Sequence, residues 1–273
     1  MTILVASILD ADHLRLAEEI RLAEDAGVDA FSFDVMDGHF VPRIELGPQY
    51  VAQLRQETDL PLEVHLMIND PESFVEVYCD AGPDLVSFHF EAAKSPEQII
   101  SYIKGRGLLA GIAVKHETPL ETIPNSLLSQ VDHVLLLAVP AGFGGAPAGE
   151  SAVHRIRKMR ELLVQSSNEN ATIEVDGGVK PQTTGIFAEA GADLVVIGTG
   201  IYKSPDYVEA VAEAKQNIAL HSQQFANSPR EASFMAKPSL GLASDKNRRE
   251  RLERLRSNLD IPSRIWDPLS SPR

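Results

Sequence analysis

Phe31-Ser32-Phe33-Asp34-Val35-Met36-Asp37-Gly38-His39-Phe40-Val41-Pro42 decides how this chain is read. A β-branched and aromatic run ends there in two carboxylates, a glycine and a histidine. In a parallel α/β protein the ends of strands are where side chains converge on a ligand. Two other strand-like runs end in the same kind of chemistry. Leu62-Glu63-Val64-His65-Leu66-Met67 delivers an imidazole, and Thr172-Ile173-Glu174-Val175-Asp176-Gly177-Gly178 delivers a carboxylate followed by paired glycines.

Working outward, short apolar runs recur at Ile3–Leu9, Ala30–Val35, Leu62–Met67, Leu85–His89, Leu108–Val114, Val131–Val139, Thr172–Asp176 and Leu194–Gly198. Segments of helical periodicity separate most of them. Leu14–Ala23 is one, with Asp12 as its expected N-cap and Gly27 as its expected left-handed terminator. Ala26-Gly27-Val28-Asp29 recurs as Ala81-Gly82-Pro83-Asp84 and Ala190-Gly191-Ala192-Asp193, each where a helix should stop and a strand begin. Eight such alternations favour a (β/α)8 TIM barrel, although an open doubly wound sheet reads with the same alternation.

The barrel is expected over residues 1–221, with a C-terminal extension over 222–273 in which Gln, Ser, Asn and Pro accumulate. The body is strongly acidic, whereas the extension carries more Lys and Arg than Asp and Glu. One charged helix is expected at 245–259, and the extension is read as an appendage that folds on the acidic body, joins a neighbouring subunit or stays partly disordered. A net charge of -14 disfavours nucleic-acid binding. Cys79 stands alone, no apolar run approaches a membrane span, and no signal-peptide pattern is present. A cytoplasmic location without membrane contact is the resulting expectation.

Asp34 and Asp176, joined by His65, read as an acid/base pair on opposite sides of a substrate carbon, with a metal between them. Glycine turns late in the chain read as a phosphate seat: Gly142-Phe143-Gly144-Gly145, Gly177-Gly178 and Gly198-Thr199-Gly200. Ser7, at the end of the first strand, either contacts a ligand or caps the next turn. His89 with Glu91 reads as structural or supporting, and His116-Glu117 as a solvated loop. Met36 and Met67 read as apolar pocket walls.

Ala6-Ser7-Ile8-Leu9 with Ala11-Asp12, Asp34–Pro42, Val64–Met67, Gly142–Gly145 and Glu174–Gly178 together resemble the ribulose-phosphate 3-epimerase family, in order, over roughly residues 3–218. The resemblance implies a (β/α)8 barrel that interconverts D-ribulose 5-phosphate and D-xylulose 5-phosphate, or a related phosphorylated ketose pair, through an enediolate. It makes Asp34 and Asp176 the acid/base pair and also metal ligands, with His65 the third ligand. Ser7 and His65 would contact substrate, and Gly142, Phe143, Gly144, Gly145, Gly177, Gly178, Gly198 and Thr199 would hold its phosphate end. The implied cofactor is a divalent cation: zinc, iron, manganese or cobalt. Members are commonly oligomeric, so a homo-oligomer is also implied.

This chain departs from the pattern at its mouth. Ser32 stands where the family has a further metal-binding histidine, and a hydroxyl is a poorer ligand for a transition metal. Arg43, Ala141, Ala146 and Lys115-His116-Glu117 are further changes, with His116 a candidate replacement ligand. Two other readings follow: a sugar-phosphate-binding barrel with impaired turnover and a regulatory or scaffolding role, and a different enediolate or aldol-type reaction on the same scaffold.

Overall fold

The structure is a computed structural model that describes residues 2–45, 47–142 and 147–225, with side chains described as far as His221. The barrel strands are β1 (Ile3–Ser7), β2 (Ala30–Asp37), β4 (Leu62–Met67), β5 (Leu85–His89), β6 (Leu109–Val114), β7 (His133–Leu137), β8 (Thr172–Asp176) and β9 (Leu194–Ile197). They pair in parallel in chain order, and β1 pairs with both β2 and β9, which closes the ring. The open sheet is thereby set aside. A two-residue strand, β3 (Ile44–Glu45), folds back antiparallel on the end of β2. It is too short for periodicity to have revealed it.

The main helices alternate with the strands: α1 (Leu16–Ala26), α2 (Pro48–Glu57), α3 (Pro71–Asp80), α4 (Pro96–Gly105), α5 (Asn125–Leu128), α6 (Glu150–Gln165), α7 (Thr184–Ala190), α8 (Thr199–Tyr202) and α9 (Tyr207–Phe225). Proline opens α2, α3 and α4, where its missing N–H has no intrahelical partner to lose. Leu4, Phe31, Phe33, Val64, Leu66, Phe88, Ile112 and Phe187 are fully buried in one core between strands and helices. Asp12 accepts from Leu14 N at 3.1 Å and so caps a 3₁₀ turn over His13–Arg15; α1 proper starts at Leu16, later than expected.

The recurring Ala-Gly-x-Asp phrase has a structural explanation. Gly27, Gly82 and Gly191 all adopt positive φ (97°, 91° and 104°), which lets each chain segment leave its helix and turn into a strand. The aspartate that follows then stitches two strands together at the barrel bottom. Asp29 accepts from Leu4 N at 3.0 Å, Asp84 from Leu62 N at 3.0 Å and Asp193 from Ile173 N at 2.9 Å. Each carboxylate is neutralised from a helix, by Lys215, Arg55 and Arg160 respectively. Asp132, without the preceding glycine, does the same for Ala110 N and pairs with Lys104.

The helix expected at 245–259, and nearly all of the extension at 222–273, lie outside the described residues. Among the described residues, no helix is long and apolar enough to cross a membrane.

Candidate active site

At the C-terminal ends of β2, β4 and β8 the barrel gathers Asp34, His65 and Asp176, whose donor atoms all lie within 4.8 Å of one another. Strand alternation turns the three inward, and Asp34 and His65 sit in direct register on adjacent strands. His65 Nδ1 lies 2.9 Å from Asp34 Oδ1, and Ser7 Oγ donates to Asp34 Oδ2 at 2.9 Å. Ser32 is buried on the same strand face as Asp34, two residues earlier.

A chain of hydrogen bonds runs behind His65. Its Nε2 lies 3.1 Å from His89 Nε2, and His89 Nδ1 lies 3.1 Å from Glu91 Oε2. Glu91 Oε1 in turn accepts from Lys115 N at 2.8 Å and from Thr118 Oγ1. Despite burial, the hydrogen bonds from His89 and Thr118 hold Glu91 down at about 2, so it is a carboxylate. Burial pushes His89 down to about 4, so its ring is neutral near pH 7. Glu91 must then accept from His89 Nδ1–H, which leaves His89 Nε2 bare and makes His65 Nε2–H the donor. The other ring nitrogen, His65 Nδ1, is left to face Asp34. Burial works against its protonation, but the hydrogen bond and charge of Asp34 outweigh that and raise His65. Asp176, partly exposed, is pushed up to about 7, first by burial and then by the charge of Asp34.

The pocket in front of this group is lined by Ser7, Asp34, Asp176 and the glycine turns at Gly142, Gly177-Gly178 and Gly198-Thr199, with Met36, Met67 and Leu137 as apolar wall. The methionine walls fall where they were expected. His65 itself is fully buried behind Asp34. Gly142, Gly177 and Gly178 all have positive φ. Phe143, Gly144 and Gly145 lie outside the described residues.

The two acids of the opening stretch part company. Asp37 points into its own loop, where Oδ1 accepts from His39 N and Phe40 N, both at 2.8 Å, and Oδ2 from Asn69 N at 2.7 Å. Partial burial opposes ionisation, but those N–H groups prevail and lower its pKa, so it builds the turn. His116 pairs with Glu117 at 2.5 Å and stands apart from the Asp34 group.

Sequence reasoning missed Asp10. Its carboxylate reaches the Gly198–Thr199 turn, accepts from the Thr199 backbone N–H, and would be struck by any Cβ at Gly198. Burial raises its pKa, while the charges of Lys203 and Arg43 pull it down. No local pattern in Ile8-Leu9-Asp10-Ala11-Asp12 marks one acid as pocket-facing and the other as a cap.

Fold and mouth together define a (β/α)8 barrel whose strands bring two carboxylates to a polar pocket, with a buried imidazole bonded behind one of them. Comparison with known proteins narrows this class. The ribulose-phosphate 3 epimerase family model matches residues 3–202. The chain is 39% identical over 209 residues to the ribulose-phosphate 3-epimerase of Bacillus subtilis, covering 77% of this chain and 96% of that protein. It is 42% identical over 211 residues to the chloroplastic ribulose-5-phosphate-3-epimerase of Arabidopsis thaliana, covering 77% of this chain and 74% of that protein. Among solved structures, 3-hexulose-6-phosphate synthase from Salmonella typhimurium aligns over 81% of this chain and 100% of its own, with a TM-score of 0.59 at 19% identity. That likeness concerns the fold alone. The chain belongs to the ribulose-phosphate 3-epimerase family, and thereby to the isomerases.

Proposed function

We propose that this chain epimerises C3 of a pentulose 5-phosphate, interconverting D-ribulose 5-phosphate and D-xylulose 5-phosphate, with Asp34 and Asp176 as the acid/base pair. The observation that carries the reading is the unequal environment of the two acids. Asp34 is buried and held through both oxygens by Ser7 and His65, whereas Asp176 is partly exposed and raised to about 7, so Asp176 can hold a proton near neutrality.

The proton balance is simple. One carboxylate removes the C3 proton from one face, and the electron pair moves to the C2 carbonyl oxygen to give a 2,3-enediolate. The opposite carboxyl returns its own proton to the other face of C3. The pair ends with its proton exchanged from one acid to the other, poised for the reverse reaction. Ser7 holds Asp34 through Oδ2, and His65 holds it through Oδ1.

One imidazole and two carboxylates with donor atoms inside 4.8 Å fit a first-row divalent cation, and the His89–Glu91 chain leaves His65 Nδ1 available once its proton is lost. Asp34, His65 and Asp176 would hold zinc, iron, manganese or cobalt, and the cation's charge would favour the enediolate oxygens. Ser32 adds no imidazole, so affinity is expected to be modest.

We place the phosphate end at Gly177-Gly178 and Gly198-Thr199, with Asp10 competing for the Thr199 N–H and Lys203 and Arg43 nearby. The extension at 222–273 is proposed as an appendage to the barrel. A homo-oligomer in the cytoplasm is proposed from the resemblance, and sedimentation of the full chain tests the assembly.

A second reading, binding without turnover, draws on Ser32 and on the negative charge of Asp10 at the phosphate seat. Deuterium exchange from solvent into C3 of D-ribulose 5-phosphate separates the two, because even a slow epimerase exchanges that proton.

A further inference from the structure

One layer below the mouth the barrel holds a second polar cluster that the proposed reaction does not use. Glu63 precedes His65 by two positions on β4, and Glu174 precedes Asp176 by two on β8, so all four side chains point inward. His133, the first residue of β7, completes the group. Glu63 is 4% exposed, and His133 and Glu174 are 0% exposed. His133 Nε2 lies 3.8 Å from Glu63 Oε1 and 3.7 Å from Glu174 Oε2, and one donor atom from each residue falls within 4.8 Å of the others.

The back of this cluster is satisfied and its centre is not. Ser87 Oγ donates to Glu63 Oε1 at 2.7 Å. His133 Nδ1 lies 2.8 Å from Thr172 Oγ1, and that hydroxyl donates to the Asp132 carbonyl at 3.3 Å. Because the hydroxyl hydrogen goes to Asp132, His133 must supply its Nδ1–H to Thr172. Nε2 is then a bare lone pair aimed at the two carboxyls. Among the described residues, Glu63 Oε2, both oxygens of Glu174 and His133 Nε2 find no partner in the surrounding barrel, and the one hydrogen bond open to Glu174 is with the Glu63 carboxyl itself, which needs a shared proton. Leaving such buried atoms without partners is costly, and native interiors answer such clusters with a water or an ion.

The surrounding sequence makes room for the imidazole. Ser87 and Gly111 are in register with each other on β5 and β6, and Gly111 is in register with His133 on β7. A Cβ at Gly111 would come within 2.9 Å of His133 Cδ2.

We propose that Glu63, His133 and Glu174 form a second divalent-cation site, sealed inside the barrel beneath the Asp34–His65–Asp176 group. Two carboxylates neutralise a doubly charged ion, and the imidazole selects a first-row transition metal over magnesium or calcium. A tetrahedral ion with bonds of about 2.1 Å holds its ligands about 3.4 Å apart, a few tenths of an ångström inside the spacing found here. Two residues along a strand are about 6.6 Å, too far for the bridged pair of a two-metal centre, whose ions lie about 3.5–4 Å apart. The lower ion therefore ties β4, β7 and β8 together, and it enters as the barrel folds.

The test uses the full chain carrying Asp34→Asn, which weakens the upper group and leaves the lower one whole. The protein is unfolded with chelator, refolded with or without zinc, desalted and analysed by mass spectrometry for metal. The expected result is close to one zinc per chain that resists chelator in the native state, with a higher Tm after refolding in zinc. Adding His133→Leu or Glu174→Gln should abolish both the retained zinc and the Tm increase. Cobalt(II) in place of zinc gives an independent reading, a visible ligand-field band from the Asp34→Asn chain, should either added variant fail to fold. If the Asp34→Asn chain retains no zinc, shows no cobalt band and has one Tm regardless of metal, the cluster is a protonated carboxyl pair and the proposal is wrong. Zinc that survives both added variants would likewise place it elsewhere.

Discussion

His65 Nε2 and His89 Nε2 stand 3.1 Å apart with no water-accessible surface on either ring, so one imidazole must donate to the bare nitrogen of the other. Glu91 decides which. By fixing His89 as the Nδ1–H tautomer it makes His65 the donor, and the mouth-facing Nδ1 of His65 is left to exchange a proton for a cation.

That relay predicts an effect at a distance from the substrate. Glu91→Gln can present its amide N–H₂ to His89 and reverse the chain, turning the wrong nitrogen of His65 toward the mouth. Loss of such an outer partner typically lowers metal affinity by about 10–100-fold. Isothermal titration with cobalt should show that loss in Glu91→Gln while circular dichroism stays unchanged. Equal affinities would mean that the relay does not orient His65.

Asp10 predicts a gain of function. Its carboxylate occupies the Thr199 backbone N–H proposed for the phosphate, so Asp10→Asn should lower KM for D-ribulose 5-phosphate several-fold and leave kcat nearly unchanged. Steady-state kinetics at low and moderate salt checks this, since the repulsion removed is partly screened. A higher KM in Asp10→Asn would show that the carboxylate assists binding.

The raised groups predict a direction for pH. Asp176 (about 7) and His65 both bind protons more tightly in the folded chain than in the unfolded one. Asp176 thus holds an extra proton in the folded state from the ordinary carboxylate pKa near 4 up through about 7, so its contribution to the stability of the metal-free protein should fall as pH rises across that window, against an opposite slope from His89, which folding lowers to about 4. Urea midpoints at pH 5.5 and 8 measure the slope, and Asp176→Asn should flatten it. The acid/base pair should also give a bell-shaped rate profile in which activity declines as its shared proton is lost near neutrality.

At the barrel bottom, Asp84 accepts from Leu62 N and pairs with Arg55 at 2.9 Å in a nearly dry setting. Asp84→Ala removes both, and should cost about 2–4 kcal/mol of stability, read by urea unfolding, without changing KM.

Much of this was legible in the residues because the barrel is built from repeated, strongly patterned units. All eight strand runs appear within a few residues of their expected bounds, and Gly27 and Gly191 end helices as their positions implied. Asp34, His65 and Asp176 were legible because each lies in the C-terminal half of a strand, and parallel strands bring those halves to one place. Less visible was the role of the second acid at each bend: Asp37 builds a turn, while Asp29, Asp84 and Asp193 stitch strands, and only three-dimensional register separates these jobs. The buried layer left a faint trace. Glu63-x-His65 and Glu174-x-Asp176 share a face by simple alternation, and His133, next to Asp132, opens an otherwise apolar run. What the sequence did not reveal is that these three meet, since that depends on the ring closing and on Gly111 yielding space.

The central claim is that Asp34 and Asp176 act on the two faces of C3. It is tested most directly by incubating D-ribulose 5-phosphate in deuterium oxide and following C3–H by NMR. The account predicts deuterium at C3 in both epimers with the wild-type chain, and a loss of at least about a thousandfold in interconversion with Asp34→Asn or Asp176→Asn, in line with removal of an acid/base group and its driving charge. Wild-type protein that leaves C3–H intact, or an Asp176→Asn chain that epimerises at the original rate, would contradict it.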